Sequence, residues 1–447
     1  MLNYIWLALV VLAVAIGGWN NKLSEVTAGA FDGAKTAVTI ALGLIGIMAL
    51  WLGVMRLAER AGLVQRIALA LRPLMRRLFP DVPPEHPAMG SMLMNMAANM
   101  LGLGNAATPL GLRAMRDLER LNPRPGVASN AMCTFLAINT ASVQLIPATA
   151  IALLAAAGST RPTAIVGTAL LATLCAATVA ITAAKLLEKL PFFRLPDHVG
   201  GIADPGREAA SPAAGISDPG YNDNVIAVEP RGWRQFLPWL LVLFFLGLFV
   251  RLVFPGWFNF PADPTTATQN AFVRSVNILS ILAIPFLLSF FPVYAATRRI
   301  KVYEEFVEGA KEGFGVILKI IPFLVTMLVA ISMFKGAGGI DLLTRVLTPV
   351  LKPLQFPTDL LPLALMRPLS GSATLAILTD IIHRLGPDNI VSLMAATIYG
   401  STETTFYVAA VYFGSVAVKQ TRHAIPAGLL GDLAGVVASV IICRAVF

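Results

Sequence analysis

The chain has 447 residues, of which 56% are hydrophobic and only 13% charged, about half the charged share of an ordinary soluble domain. That composition excludes a water-soluble monomer, and apolar runs such as 36–55, 236–254 and 425–442 have the length that crosses a bilayer. The formal charge of +9 then reads as positive loops on one side of a membrane, not as a nucleic-acid surface.

In chain order, residues 4–18 form a short first span that lacks a basic leader and a small-x-small cleavage site, so it is expected to stay uncleaved. A long core helix follows at 36–56, then a basic amphipathic stretch at 63–79, an interrupted apolar pair at 88–120, and helices at 128–157 and 162–187. Hydrophobicity collapses over 191–233, where 12 of 43 residues are Gly or Pro; such a stretch cannot bury enough surface to order itself and reads as a flexible cytoplasmic linker. It separates an N-terminal membrane half, 1–190, from a C-terminal one, 234–447. The second half carries spans at 236–254 and 271–296, then elements at 313–334, 340–355, 359–384, 389–417 and 424–446.

The halves read as diverged copies. Gly33 pairs with Gly309, Gly62 with Gly338 and Pro73 with Pro349 at a constant offset of 276, and Ala137 to Ser142 falls on Ile398 to Glu403 at an offset of 261. One extra helix precedes the first copy and two precede the second, so the copies lie upside down relative to each other if both ends of the linker are cytoplasmic. Arg56, Arg60, Arg66, Arg72, Arg76 and Arg77 follow the first core helix, whereas Arg298, Arg299, Lys301 and Lys311 precede the second, in keeping with that arrangement. Lys335, Arg345, Lys352 and Arg384 fall on the opposite side and go against it. The expected fold is an all-α integral membrane protein, a polytopic helical bundle of nine spans with two inverted structural repeats, each with a re-entrant helical hairpin.

Broken helices near the bilayer midplane place helix ends and backbone polar groups where solutes bind in many secondary transporters. In the first hairpin, Asn95 and Asn99 share a helix face, Gly102 and Gly104 permit a break, and Asn105 stands at an N-cap position before Thr108 and Pro109. The second hairpin offers the hydroxyls of Ser370, Ser372 and Thr374. The matching broken spans supply Asn139, Thr140, Ser142 and Gln144, and then Ser401, Thr402, Glu403 and Thr404. These residues are the candidate substrate-binding set. Glu403 is an acid inside an apolar span, where an ionisable group costs at least about 2.5 kcal/mol, so it is the main candidate for coupling, with Asp380 as the second. The plain alternatives are that the asparagines cap the hairpin backbone, that Glu403 is a structural acid bonded to Ser401 or Thr405 or paired with Lys319, and that Asp380 with His383 and Arg384 marks a solvated hairpin end.

No catalytic constellation emerges. The four histidines are scattered, and no P-loop, HExxH or GxSxG motif occurs. The chain is read as a non-enzyme with no cofactor and no metal site, the methionines at 89, 92, 94, 96 and 100 being core packing. Cys133, Cys175 and Cys443 read as buried small hydrophobes.

At these motifs the chain resembles a known family. The stretch NMAANMLGLGNAATPLGLRAM, 95–115, is similar to the signature of spore maturation protein A, and 367–380 together with AATIYGSTETTFYVAAVYFG, 395–414, to that of spore maturation protein B. Both carry the nucleoside recognition, or gate, domain, which is also similar to parts of concentrative nucleoside transporters. The resemblance implies a multi-pass protein of the bacterial inner membrane handling a small polar solute, nucleoside-like in class. The expected function is transport or recognition by alternating access around the paired hairpins, with proton or sodium coupling. The alternative is a membrane component of spore maturation or envelope function that does not transport. The partners expected are the lipid bilayer and the solute, not nucleic acid, and a homo-oligomer is left open.

Overall fold

In the computed structural model the described residues are 2–102, 104–193, 236–255, 269–339, 342, 345 and 356–447; of 2–5, 104–106, 319, 320 and 323 only the backbone is described. The linker expected at 191–233 lies outside them from residue 194 onward, as does most of 340–355. The regular structure among the described residues is helical, apart from one isolated bridge between Val127 and Gln420.

The first half contains α1 (Leu2–Trp19), α2 (Leu23–Arg60), α3 (Leu63–Leu78), α4 (Pro87–Met100), α5 (Gly104–Arg120), α6 (Asn130–Ala141), α7 (Ala148–Ala156) and α8 (Ile165–Leu187). The second contains α9 (Leu237–Val253), α10 (Ala271–Thr297), α11 (Val302–Gly336), α12 (Leu361–Met366), α13 (Gly371–Leu385), α14 (Ile390–Ser401), α15 (Thr405–Gly414) and α16 (Ala424–Val446). Among the described residues α2, α8, α10 and α16 are long and apolar enough to cross a membrane, and α1, α9 and the end of α11 are shorter apolar helices. The chain is a multi-pass membrane protein. Cys133 and Cys443 are buried as expected, but Cys175 is exposed on the outer face of α8.

Local chemistry sets the helix starts. Ser129 Oγ accepts from the Met132 amide at the start of α6, Ser370 Oγ from Ala373 at the start of α13, and Asn389 Oδ1 from Val391 at the start of α14, each satisfying an amide that has no intrahelical partner. The core helices α2 and α11 end alike: two residues beyond each lies a glycine in the left-handed region, Gly62 at φ 72° and Gly338 at φ 84°, a conformation a side chain would strain.

Helices α2 and α11 pack antiparallel along their length through small residues. A Cβ on Gly33 would lie 2.7 Å from the Leu328 carbonyl oxygen, and one on Gly309 would lie 2.7 Å from that of Leu52. Gly29 meets Ser332 and Gly336 meets Glu25 in the same way. At one end the contact is closed by Arg56, whose Nε donates to Glu305 at 2.9 Å and whose Nη1 donates to Glu312 at 2.6 Å.

The two broken spans, α6–α7 and α14–α15, also run antiparallel. Beside the start of the first, the Ala128 amide donates to the Gln420 carbonyl, beyond the end of the second, at 2.9 Å. Beyond the end of the first, Ser159 Oγ and Thr160 Oγ1 donate to the carboxylate of Asp388, just before the start of the second, at 2.5 and 2.7 Å. Each break is held to the interrupted helix pair of its own half: the Leu145 amide donates to the Met100 carbonyl, and the Phe406 amide to the Pro368 carbonyl, both at 3.0 Å.

Candidate functional site

The breaks meet at the centre of the bundle. Residues 142–147 carry no helix, and Ser142 takes a left-handed conformation at φ 31° to end α6. Residues 402–404 separate α14 from α15, and there the Glu403 amide donates to the Thr140 carbonyl at 2.7 Å, joining one break to the other. Unwinding frees such backbone groups, and the partner break satisfies this pair.

Glu403 Oε1 accepts from Gln144 Nε2 at 3.0 Å, and Oε2 lies 3.9 Å from Arg367 Nη2. Arg367 ends α12, its side chain only 3% exposed against 39% for Glu403. Its guanidinium stacks on the Tyr399 ring at 4.8 Å, Nη2 donates to the Tyr399 carbonyl at 2.9 Å, and Nε has no partner among the described residues. Gln144, Arg367, Tyr399 and Glu403 line a cavity of about 60 Å³, room for about two waters. The carboxylate therefore bonds Gln144 of the first half and faces Arg367 of its own half, and not Ser401 or Thr405; the Lys319 side chain lies outside the described residues.

Thr405 Oγ1 instead donates to Asp432 Oδ2 at 2.6 Å. Asp432 is 3% exposed within α16, and its Oδ1 has no partner among the described residues. Both Arg367 and Glu403 act on it electrostatically.

A second polar network lies beside α4 and α5. Asn95 Nδ2 donates to the Ala107 carbonyl at 2.7 Å and to the Tyr412 hydroxyl at 3.2 Å; that hydroxyl donates to Asn139 Oδ1 at 3.3 Å, which also accepts from Asn99 Nδ2 at 2.9 Å. A Cβ on Gly111 would sit 2.0 Å from the Tyr412 oxygen, so the close approach requires glycine there. Asn95 Oδ1, Ser142 Oγ and Thr402 Oγ1 are buried without partners among the described residues.

The other expected residues divide as follows. Ser370 caps α13 and its hydroxyl lies 3.2 Å from that of Ser372, while Thr374 Oγ1 donates back to the Ser370 carbonyl at 2.7 Å. Thr140 and Ser401 also bond to carbonyls of their own helices. Thr404 is buried with its Oγ1 beside Gly371, and Thr108 is half-buried on α5. The side chain of Asn105 lies outside the described residues. Asp380 stands apart: it pairs with Arg384 at 3.3 Å, lies 4.0 Å from Lys335 and lines a different cavity. Arg384 also pairs with Asp359 at 2.7 Å, so Lys335 and Arg384, two of the four basic residues at odds with the charge rule, face carboxylates.

Arg367, Tyr399, Tyr412 and Asp432 were absent from the sequence-based set. Arg367 and Asp432 each carry a charge in a stretch expected to be membrane-embedded, and that signal could have found them.

The nucleoside recognition (Gate) family model matches residues 41–188 and 317–419. Spore maturation protein A of Bacillus subtilis (strain 168) is 48% identical over 174 residues, covering 39% of this chain and 89% of that protein. Spore maturation protein B of the same organism is 44% identical over 172 residues, covering 38% of this chain and 97% of that protein. No solved structure matches. Since the family model takes in more than half of the chain, in two segments, the chain belongs to the nucleoside recognition family.

Proposed function

We propose that the chain is a transporter-like protein of the bacterial inner membrane, in which two inverted repeats, 1–190 and 234–447, recognise and move a small polar, nucleoside-like metabolite by alternating access. The observation that carries this reading is the crossing of the two breaks, where Glu403 of one half bonds both the backbone of Thr140 and the side chain of Gln144 in the other. A site shared by both halves changes when one half rocks against the other, which is what alternating access requires. The repeat is supported by the symmetric contacts: Gly33 on Leu328 and Gly309 on Leu52 interconvert at the offset of 276, and the loop pairs Val127–Gln420 and Asp388–Ser159 interconvert at 261. Re-entrant hairpins account for α4–α5 and α12–α13, which are short, interrupted and tied to the breaks. Glu403 is the coupling residue, carrying a proton or facing sodium; no catalytic step, cofactor or resident metal is proposed.

The non-transporting reading has one observation in its favour. The cavity of about 60 Å³ is far below the roughly 300 Å³ at which small-molecule sites begin, so transport needs a second state with a wider site. Uptake of labelled nucleosides and nucleobases into proteoliposomes separates the two. Transport predicts uptake that Glu403→Gln abolishes with little change in melting temperature. Absence of uptake, and of any ligand-induced thermal shift, from a folded protein would sink the transport reading.

A further inference from the structure

A further cavity lies away from the breaks, between α3, α9 and the end of α10. It measures about 500 Å³, and Arg66, Trp239, Val242, Phe290, Tyr294 and Arg298 are among its walls. Arg298 is 6% exposed, and its Nε and Nη2 have no hydrogen-bond partner among the described residues. Its guanidinium lies 4.9 Å from the centre of the Tyr294 ring, and that of Arg66 lies 5.9 Å from the same ring. No carboxylate is among the described lining residues.

A buried guanidinium with idle N–H groups, such as that of Arg298, carries a desolvation cost that an aromatic face only partly offsets. A bound anion would remove that penalty through charge-assisted hydrogen bonds. The rest of the wall is apolar and aromatic, so a small free anion would leave most of the volume unfilled.

The surroundings identify what fills it. Helix α9, which gives Trp239 and Val242 to the wall, turns Trp239, Leu243 and Phe244 outward, at 64%, 61% and 57% exposure. Helix α3 carries Arg66, Arg72, Arg76 and Arg77 together with the exposed Leu69 and Leu74, the composition of a helix lying in the headgroup layer. Basic pockets between membrane helices at that depth suit anionic headgroups. We propose that this cavity is a binding site for an anionic phospholipid, whose phosphate sits on Arg298 and Arg66 and whose acyl chain runs out along α9. Bound there, the lipid fastens α9 and α10 to the basic surface of α3.

The test uses the full chain, stripped of lipid in a neutral detergent, with the melting temperature followed against phosphatidylglycerol, phosphatidylcholine and inorganic phosphate. Phosphatidylglycerol is expected to raise it by mass action while the other two do not. Arg298→Gln is expected to weaken the response about tenfold to a hundredfold, the loss of one charged hydrogen-bonding partner. Should Arg298→Gln not fold, Val242→Trp narrows the cavity beside the guanidinium groups, keeps both arginines and is expected to weaken the response. Equal stabilisation by the two lipids, or an undiminished response in Val242→Trp, overturns the site. A full response to inorganic phosphate alone overturns the lipid as its occupant.

Discussion

Arg367 and Glu403 are unequal partners: the cation is almost wholly buried, while the carboxylate keeps contact with the cavity. Removing a buried charge's partner and removing the buried charge itself therefore differ. Arg367→Leu leaves the Tyr399 carbonyl without its donor, while the carboxylate keeps Gln144 and its contact with the cavity, and is expected to destabilise the protein by about 1–3 kcal/mol, read as a lower melting temperature in detergent. Glu403→Gln keeps an acceptor for Gln144 and is expected to cost far less. A second carboxylate acts at the end of the bundle. The Ser159 hydroxyl, with help from the Thr160 amide and hydroxyl, holds Asp388 below the ordinary carboxylate range. A carboxylate depressed on folding contributes stability above its unfolded value, near 3.9, and loses it as pH falls through the lower folded one. Melting curves should therefore show Asp388→Asn less stable than the parent at pH 6 and converging with it below about pH 4. Glu403 was legible in the sequence because an acid in an apolar run stands out. The Asn95–Tyr412–Asn139 chain was legible only in part, since no local pattern links residues some three hundred positions apart.

Helix boundaries followed the sequence closely where hydropathy and caps agree: α16 coincides with the stretch expected at 424–446, and α10 ends within a residue of its expected limit. Core helices α2 and α11 begin well before the expected 36 and 313, because polar leading turns such as that of α2, with Glu25 and Lys35, are helical without being apolar. The contact between these two helices depends on which glycines face inward, something composition alone does not tell. Gly33→Ala and Gly309→Ala should each cost about 1–3 kcal/mol, and by similar amounts, since they occupy equivalent places against a carbonyl. Gly46 and Gly315 lie on the same helices with open space around them; alanine there should gain up to about 1 kcal/mol from helix propensity. Thermal unfolding of the four variants checks the opposite signs, and a loss at all four would mean that the outer faces are covered as well.

The bundle is tied at both ends by equivalent loop pairs, Val127 with Gln420 and Ser159 with Asp388. In an alternating-access cycle only one end opens at a time, so fastening either pair stops turnover. A double variant, Ser159→Cys with Asp388→Cys, is expected to lose uptake on oxidation and regain it on reduction; uptake indifferent to the cross-link would mean that this end does not move. The proposed duplication rests on spacing, and the two segments of the family match begin at 41 and 317, again 276 apart. The antiparallel seam between α2 and α11 has a consequence for ancestry. A contact in which Gly33 meets Leu328 as Gly309 meets Leu52 has the self-complementary form of a symmetric dimer interface, one whose two copies enter the membrane in opposite directions. A single ancestral gene whose product inserted both ways would have built it before any fusion, and the two relatives, each covered by less than two-fifths of this chain, are the size of such partners. If the halves associate as such partners would, the two segments produced from separate cistrons should reassemble into a complex that co-purifies and melts with the intact chain.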